Sequence, residues 1–506
     1  MRIALVSSEV VGFAKTGGLA DVAGALPPAL ESLGEEIIVF LPMYHCIRQT
    51  GNFESTNIRF QIPLGPHLVQ GSLAKSKIPG SNVTVYLVEN QDLFERDNPA
   101  FGRGIYQFLG SEGAKKDYPD NSARFYFFTQ AVLASFPQLG FWPDVVHWND
   151  WQCGLGPVLL REKYDRTENK ALAEKYQKVR SLMTIHNIAY QGNFWKEDMN
   201  MIHLGWHLFN LNQLEFHDNL SFLKAGIVFS DQINTVSPTY AREIQTPYYG
   251  YGLQGVLTAL AGKLTGIVNG IDYKVWDPSR DPLIAGKFDA RNIQPGKSTC
   301  KKALQHELGL EVNPSIPMVG LVARLVQQKG LDLVIESAWR MMELGIQFVV
   351  LGEGDSYYQN ALVQLQATFA GKVALNFSFS ESMAHKIEAG VDCFLMPSLY
   401  EPSGLNQLYS MRYGTLPVVR ATGGLADTVT DANPATLANN SATGFSFNAY
   451  SSAALFDCLH RAIDCYRNHQ QDWIKIQRNA MMQDWSWNRS AGNYQQLYRT
   501  IVSSQA

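Results

Sequence analysis

Short runs of apolar and β-branched residues recur along the chain, and each is followed by a stretch whose apolar residues come at helical spacing. Such runs are typical of strands buried on both faces of a sheet. The clearest runs are residues 3–6, 37–40, 83–88, 145–146, 181–185, 318–322, 348–351, 393–396 and 416–419. The alternation predicts an α/β protein built from βαβ units, with mostly parallel sheets covered by helices on both faces.

The alternation occurs in two blocks that meet near residues 264–270 (LTGIVNG). A chain of 506 residues is long enough for two domains that each bury a core. We therefore predict two Rossmann-like, doubly wound domains, residues 1–262 and 263–484, followed by a C-terminal segment, residues 485–506.

The first helical pattern has one apolar stripe and an interruption. The stripe consists of Leu19, Val22, Leu26, Leu30 and Leu33. Pro27 and Pro28 fall inside it, and a proline in a helix interior costs ~3 kcal/mol. We expect a kink or a break at these prolines.

The last helical pattern is rich in aromatic residues. Its stripe consists of Trp485, Trp487, Tyr494, Leu497, Tyr498 and Ile501. A stripe of this kind favours packing against protein over contact with a ligand. It predicts a terminal helix that is able to bridge the two domains.

The hexapeptide TGGLAD occurs twice, at residues 16–21 and 422–427. Each copy follows an apolar run and precedes a helical pattern. Paired glycines let backbone N–H groups approach a ligand, and a helix that begins there favours an anion. The alternative is that the glycines only shape a tight turn. The repeat indicates two loops that face a common site.

Four charged residues are candidates for chemistry. Lys15 directly precedes the first glycine pair, and Arg324 and Lys329 follow the strand at residues 318–322, where open α/β sheets bind their ligands. Solvated surface charges are the alternative interpretation of all three. Glu401 precedes a proline, which predicts a position near a helix N-terminus. It either complements the helix dipole or acts on a substrate.

Composition narrows the class of protein. With 46% hydrophobic residues, 17% charged residues and a net charge of −4, the chain is globular and nothing indicates a nucleic-acid partner. The six cysteines form no CxxC pair, which favours free buried thiols in a reducing compartment. Without a signal peptide or a long apolar run, we expect a cytoplasmic protein that does not enter the membrane.

Three short motifs point to other functions, and each lacks a required part. The sequence GKST at residues 296–299 has Arg291 where a P-loop needs its first glycine. His147 has no second histidine four residues away, as a helical metal site would require. No GxGxxG follows the first strand, which argues against an NAD-dependent dehydrogenase.

Several motifs, taken in order, resemble bacterial glycogen synthases and plant starch synthases. They are KTGGLADV (residues 15–22), HNIAYQG (186–192), VSPTYA (236–241), VNGID (268–272), Arg324 with Lys329, EPSGLNQ (401–407) and DWSW (484–487). The resemblance covers essentially the whole chain.

This resemblance implies a GT-B fold, with two Rossmann-like domains on either side of a cleft. It implies retaining transfer of glucose from ADP-glucose to the non-reducing 4-hydroxyl of an α-1,4-glucan or maltooligosaccharide, with no cofactor and no metal. Residues 1–262 would form the acceptor and catalytic domain, and residues 263–484 the nucleotide-sugar domain. Residues 485–506 would cross back to the first domain.

The resemblance also implies roles for single residues. Lys15 and Gly18 would contact the donor phosphates from one domain, and Arg324 and Lys329 from the other. Glu401 would hold the glucosyl hydroxyls, and Asn269 would line the sugar pocket. The catalytic residues would be Glu401, His186, Lys15, Arg324 and Lys329. The acceptor or sugar pocket would include Asp150, His186, Asn187 and Gln191. The nucleotide-sugar site would be completed by Asp21, Phe379, Tyr400, Gly404, Leu405, Thr422 and Gly423.

The chain departs from the family pattern at two positions. Ser403 and Asn406 stand where the family usually has Cys and Thr. The loop fold should survive this change, whereas contacts with the donor would shift. Phe379 corresponds to the aromatic residue that stacks on adenine, in a neighbourhood that matches weakly.

Retention leaves two mechanisms open, double displacement through Glu401 and front-face attack assisted by the leaving phosphate. We favour front-face attack, because a Glu held by helix N–H groups suits sugar positioning. Two rival functions are a nucleotide-sugar epimerase and a non-catalytic glucan-binding protein. The presence of Lys15, Arg324, Lys329 and Glu401 together favours an enzyme.

Overall fold

Both halves of the chain form α/β units in the computed structural model, which describes residues 1–111, 114–378 and 380–503. Unit 1 comprises Met1–Val236, Ala241–Ile267 and the C-terminal segment from Trp487. Unit 2 comprises Ser237–Tyr240 and Val268–Ser486.

A strand forms at each of the nine predicted apolar runs, and other strands form where no run predicted them. They are β1 (Arg2–Val6), β2 (Glu36–Pro42), β3 (Glu54–Leu64), β4 (His67–Lys77), β5 (Thr84–Glu89), β6 (Gln107–Leu109), β7 (Lys115–Asp117), β8 (Val145–Asn149), β9 (Arg180–Ile185), β10 (Asn193–Trp195), β11 (Glu215–Phe216), β12 (Asn219–Ser221), β13 (Gln232–Thr235), β14 (Leu264–Gly266), β15 (Met318–Val322), β16 (Gln347–Leu351), β17 (Val373–Asn376), β18 (Cys393–Met396), β19 (Leu416–Arg420) and β20 (Phe445–Phe447).

Helices connect most of these strands. They are α1 (Gly18–Ser32), α2 (His45–Thr50), α3 (Gln91–Phe94), α4 (Asn121–Leu139), α5 (Leu155–Leu159), α6 (Lys170–Gln177), α7 (Asp198–Met201), α8 (Phe222–Phe229), α9 (Pro238–Glu243), α10 (Gln254–Ala259), α11 (Ile293–Glu307), α12 (Leu331–Glu343), α13 (Ser356–Thr368), α14 (Glu381–Gly390), α15 (Asn406–Arg412), α16 (Gly423–Thr428), α17 (Pro434–Ala438), α18 (Ser452–Asn468), α19 (Gln470–Met482) and α20 (Trp487–Ser503). Short 3-10 turns cover Pro99–Phe101, Trp151–Cys153, Trp206–Leu208, Ala261–Lys263 and Gln327–Lys329, and a π-helical turn covers Leu160–Tyr164.

Unit 1 contains a nine-stranded sheet in the order β14-β13-β9-β8-β1-β2-β5-β4-β3. The strands from β14 to β5 are parallel, and β4 and β3 continue the sheet as an antiparallel hairpin. The central strand β1 is buried from Ile3 onwards. A parallel strand covered on both faces is apolar throughout, which explains why the runs predicted it.

Unit 2 contains a six-stranded, wholly parallel sheet in the order β17-β16-β15-β18-β19-β20. Its core is formed by the buried faces of these strands and of α12, α18 and α19. Both sheets therefore confirm the predicted α/β, doubly wound class.

The predicted break in the first helix is wrong. Helix α1 runs without interruption from Gly18 to Ser32 and contains Pro27 and Pro28. Its apolar face packs on β2 and α20 and buries Leu26 and Leu30 completely. Burying a leucine contributes about 1.5–3 kcal/mol, enough to offset the hydrogen bonds that the prolines remove. Leu33 follows the end of the helix and is 40% exposed, so it does not belong to the stripe.

The two aromatic residues at the start of the terminal stripe belong to different units. Trp485 packs against the apolar core of unit 2. Trp487 begins α20, which belongs to unit 1 and packs against α1 and β8. Strand β14 pairs with β13 in the first sheet, so unit 2 resumes at Val268 rather than at the predicted residue 263.

Helix α20 is tied to the first sheet by buried hydrogen bonds. The Tyr498 hydroxyl lies 2.8 Å from His147 Nδ1, whose other ring nitrogen lies 2.6 Å from Thr184 Oγ1. Asn234 Nδ2 donates to the Tyr494 hydroxyl at 3.0 Å. Burial lowers the pKa of His147 to about 3, so its imidazole is neutral and depends on these partners.

We expect Tyr498→Phe to lower the melting temperature, because it leaves a buried His147 nitrogen without its partner, at a cost of about 1–3 kcal/mol. Calorimetry or thermal circular dichroism measures the effect. Gln496→Ala, an exposed position on the same helix, is the control and should leave the melting temperature unchanged. Equal melting temperatures for the two variants would contradict a structural role for this bond.

Candidate active site

The order of the strands reverses beside one central strand in each sheet. In unit 1, β1 lies between β2 and β8, and in unit 2, β15 lies between β16 and β18. Ligands of open α/β sheets bind at the carboxyl ends of the strands where the order reverses. Lys15 and Asp150 follow β1 and β8, and Lys329 and Glu401 follow β15 and β18, at these two points. Other predicted site residues follow neighbouring strands, as His186 follows β9 and Thr422 follows β19.

The first glycine pair forms an open helix start in unit 1. Gly17 is the N-cap of α1, and Gly18 is its first residue. A Cβ atom placed on either glycine would meet nothing within 4 Å, so packing does not require glycine here. Lys15 is half-exposed, and its Nζ lies 2.6 Å from Asp21 Oδ1 in the first turn of α1. The loop therefore presents a cation and backbone amides without steric cover.

A residue that sequence reasoning missed, Glu9, holds this loop. Its carboxylate is almost completely buried and accepts hydrogen bonds from the Thr16 amide, from Thr16 Oγ1 at 2.6 Å and from the Gly17 amide at 3.1 Å. The Tyr106 hydroxyl donates to it at 2.9 Å. The one available signal was a carboxylate in the segment between β1 and the glycines.

Asp150 follows β8 in a strained conformation. Its φ of 56° is unusual for a residue other than glycine. Its buried carboxylate accepts a hydrogen bond from the His186 amide at 2.7 Å. Burial raises the pKa of Asp150 to about 7, hydrogen bonds from the amides of His186 and Asn187 oppose this, and the charge of Glu9 adds to it. Asp150 therefore changes charge near neutral pH.

His186 is a neutral imidazole with a defined tautomer. Burial lowers its pKa to about 3. Asn149 Nδ2 donates to two carbonyl groups, which turns its Oδ1 towards His186 Nε2 at 2.9 Å. Nε2 must then carry the hydrogen, and Nδ1 is left as an acceptor.

The remaining predicted residues of this loop hold its backbone. Asn187 Oδ1 accepts from the Ala189 amide at 3.0 Å. Gln191 is buried, and its Nε2 donates to the Tyr251 carbonyl at 2.9 Å. These two side chains shape the loop that carries His186.

In unit 2, a partly buried ion pair joins two segments that follow neighbouring strands. Lys329, in the turn after β15, places Nζ 2.6 Å from Glu401 Oε2. Ser398 Oγ, just after β18, lies 3.2 Å from the same oxygen. The Glu401 side chain is only 7% exposed, whereas Arg324 is exposed and forms no ion pair among the described residues.

The predicted position of Glu401 near a helix N-terminus is wrong. Helix α15 begins at Asn406, and Pro402 lies in irregular structure before it. Gly404, with φ of 69°, turns the chain between the two. An ammonium and a hydroxyl therefore hold the Glu401 carboxylate, in place of the expected helix amides.

The second glycine pair packs against this Glu401 segment. A Cβ atom on Gly423 would lie 2.0 Å from the Glu401 carbonyl oxygen, and one on Gly424 would lie 2.0 Å from that of Ser403. The Gly424 amide donates to the Glu401 carbonyl at 3.1 Å. Thr422 is completely buried as the N-cap of α16. Glycine is thus required by backbone packing in the second copy.

Three further predicted residues of unit 2 are described, and one is not. Asn269 is buried, and its Oδ1 has no hydrogen-bond partner among residues 1–111, 114–378 and 380–503. Tyr400 and Leu405 are half-buried on either side of the turn at Gly404. Phe379 lies outside the described residues.

The two departures from the family pattern have different surroundings. Asn406 Nδ2 donates to the Val322 carbonyl at the end of β15, at 2.7 Å. Ser403 Oγ is buried, and no acceptor or donor contacts it within the described part of the chain. Asn406 therefore ties the segment that carries Glu401 to the central strand.

Two motifs with other apparent functions are structural. Lys297, in the sequence that imitates a P-loop, is buried in α11 and donates to the Ala389 carbonyl at 3.1 Å. His147 contacts Thr184 and Tyr498. Within the described residues, no group of three or more His, Cys, Asp or Glu is arranged to hold a metal ion. No described helix is both long and apolar enough to cross a bilayer.

Two family models match the two halves of the chain. The model of the starch synthase catalytic domain matches residues 2–259, and that of glycosyl transferases group 1 matches residues 310–480. Together they span most of both units.

Relatives match along the full length. A glycogen synthase of Anaeromyxobacter dehalogenans is 44% identical over 502 residues, 99% of each chain. A glycogen synthase of Moorella thermoacetica is 41% identical over 506 residues, 100% of this chain and 98% of its own.

Two solved structures are similar to this protein over almost its whole length. The catalytic domain of starch synthase IV from Arabidopsis thaliana, bound to ADP and acarbose, has a TM-score of 0.87 and 31% identity, with 99% of each chain covered. A sucrose-phosphate synthase from Thermosynechococcus elongatus, 17% identical with a TM-score of 0.57 over 99% of each chain, shares the fold. The predicted GT-B fold class is thereby confirmed. The chain belongs to the family of glycogen synthases and starch synthases and is a glycosyltransferase.

Proposed function

We propose that this protein transfers glucose from ADP-glucose to the non-reducing 4-hydroxyl of an α-1,4-glucan, with retention at the anomeric carbon and without a metal. The names of its full-length relatives and the ADP in the starch synthase IV structure support this proposal. The observation that carries it is the partly buried Lys329–Glu401 pair with the exposed Arg324 at the carboxyl edge of the unit 2 sheet.

Breaking a glucosyl–phosphate bond leaves negative charge on the diphosphate. Arg324 and Lys329 in unit 2 would stabilise this charge, and Lys15 with the Gly18 amide would do so from unit 1. Asp21 would orient Lys15 through their ion pair. Cations and amides that are already in position need no reorganisation during the reaction, and such preorganisation supplies much of the rate enhancement in enzymes.

The donor sugar would be held by groups of unit 2. The Glu401 carboxylate and the amides of Gly404 and Leu405 would contact its hydroxyl groups. Asn269 Oδ1, a buried acceptor without a partner in the described residues, would accept one more hydroxyl. The nucleotide would contact Tyr400, Thr422 and Gly423, and its adenine would stack on Phe379.

The acceptor end would meet unit 1. Asp150 would accept a hydroxyl hydrogen bond, and so would Nδ1 of His186. Asn187 and Gln191 would support them through the backbone contacts of their loop. Unit 1 would thus be the acceptor unit and unit 2 the nucleotide-sugar unit.

We favour front-face attack over a covalent intermediate on Glu401. Lys329 and Ser398 already engage its carboxylate, which suits positioning better than nucleophilic attack. The leaving phosphate would receive the acceptor proton. A trapped glucosyl–Glu401 adduct, detected by mass spectrometry, would contradict this preference.

The direct test compares ADP-glucose with UDP-glucose, using a maltooligosaccharide acceptor. We expect nucleoside diphosphate release that depends on the acceptor, longer glucan products and higher kcat/KM with ADP-glucose. An epimerase would convert the donor sugar without releasing nucleoside diphosphate. A non-catalytic binding protein would bind the glucan and turn over neither donor.

Removing either phosphate lysine should impair catalysis strongly. We expect Lys329→Ala and Lys15→Ala each to lower kcat/KM by at least about 10²-fold, the usual cost of losing one transition-state donor. Two lysines in surface ion pairs, Lys386 with Glu307 and Lys196 with Asp218, provide matched controls whose alanine variants should retain full activity. Near-normal turnover in a test variant would remove that lysine from the phosphate site.

Activity should depend on the charge of Asp150. Because its pKa is raised to about 7, the carboxylate is ionised above and protonated below that value. If the ionised form accepts the substrate hydroxyl, kcat/KM rises as the pH increases through 7. Asp150→Asn, which keeps the size of the side chain and removes its charge, should abolish this rise with pH and lower activity. A profile that is flat between pH 6 and 8 in the wild type would contradict the assignment.

A further inference from the structure

The contacts of Glu9 resemble those of a bound anion. The amides of two successive residues, Thr16 and Gly17, point at one carboxylate oxygen, Oε2. Successive N–H groups that converge in this way form a nest that binds anions such as phosphate. In this protein a side chain of the chain itself fills the nest.

The filled nest limits which groups a donor phosphate can reach. The amides of Thr16 and Gly17 are already engaged by Glu9. The Gly18 amide, at the first position of α1, has no acceptor within its own helix, and Lys15 projects from the same loop with its side chain half-exposed. The loop thus retains one cation and the start of α1 for an incoming anion.

We propose that Glu9 is the positioning residue of the donor-phosphate loop: its carboxylate fills the nest of Thr16 and Gly17, so that the diphosphate is received by Lys15 and by the Gly18 end of α1. This inference rests on the proposed function. It assigns Glu9 no direct contact with substrate.

The negative charge of Glu9 also acts on Asp150, the residue that follows β8 in unit 1. The other carboxylate oxygen of Glu9, Oε1, accepts from Thr16 Oγ1 and from Tyr106, whose hydroxyl also lies 2.7 Å from Ser8 Oγ. Its negative charge contributes to the raised pKa of Asp150. His186, whose backbone amide donates to Asp150, has a neutral imidazole, because burial lowers its pKa to about 3.

Two substitutions distinguish the effect of the side-chain length of Glu9 from the effect of its charge. Glu9→Gln keeps the reach: its oxygen accepts from the two amides, and its NH₂ donates to Thr16 and Tyr106, whose hydroxyls are able to accept. Glu9→Asp keeps the charge but is one methylene shorter, so its carboxylate no longer reaches both amides and both hydroxyls.

Steady-state kinetics with ADP-glucose and a maltooligosaccharide should tell the two apart. We expect Glu9→Asp to raise the KM for the donor at least about tenfold, the equivalent of one lost hydrogen bond, with the acceptor KM unchanged. Glu9→Gln should keep the donor KM within about threefold of wild type. In Glu9→Gln, the acid limb of the kcat/KM profile should move to lower pH, because removal of a nearby negative charge lowers the pKa of Asp150.

Asp144→Asn is the matched control. Asp144 Oδ2 accepts the Arg2 amide at 2.7 Å, at the opposite end of β1 from the glycine loop. This variant should change neither donor KM nor the pH profile.

Three results would overturn the role of Glu9. They are an unchanged donor KM in Glu9→Asp, a parallel rise of both KM values, and an acid limb in Glu9→Gln that coincides with that of wild type. Wild-type protein that releases no nucleoside diphosphate would instead refute the proposed function. Loss of activity in Lys15→Ala together with a normal Glu9→Asp variant would refute the Glu9 inference alone.

Discussion

Parallel pairing around one buried central strand is the constraint on which each unit depends. Parallel strands need helical crossovers, and where the crossovers leave in opposite directions the carboxyl ends of two adjacent strands remain uncovered. In unit 1 this places Glu9 and Asp150 after β1 and β8, and in unit 2 it places Lys329 and Glu401 after β15 and β18. The candidate chemistry is thus located by sheet order before any side chain is considered.

The repeated hexapeptide shows that identical residues can meet different physical requirements. In the first copy, the glycines have open space where a side chain would stand, and the neighbouring Lys15 supplies charge. In the second copy, the glycines lie against the backbone of Glu401 and Ser403 and leave no room for a Cβ atom. The first copy leaves the start of helix α1 uncovered, whereas the second packs against the segment that carries Glu401.

Buried carboxylates in both units are satisfied in different ways. Glu401 is held by the Lys329 ammonium, and Glu9 by backbone amides and hydroxyl groups. Asp150 receives amide hydrogen bonds and forms no ion pair within the described part of the chain, and burial raises its pKa to about 7. A buried carboxylate stays ionised where its partners replace the lost contacts with water. Where they replace only part of them, the carboxylate titrates near neutral pH.

The sequence by itself determined the doubly buried strands, the mostly parallel class of the two large sheets and the family, because such strands must be apolar and the motifs around Lys15, Lys329 and Glu401 are contiguous in the chain. It did not mark the antiparallel hairpin of β3 and β4. Tertiary structure alone decided that Glu9 holds the first glycine loop, that Glu401 pairs with Lys329 and that α1 continues through Pro27 and Pro28. These features depend on contacts between residues far apart in the chain, or on burial of apolar side chains that offsets the cost of prolines inside a helix. A sequence pattern indicates the local conformational preference of a segment, whereas tertiary packing determines where the chain departs from that preference.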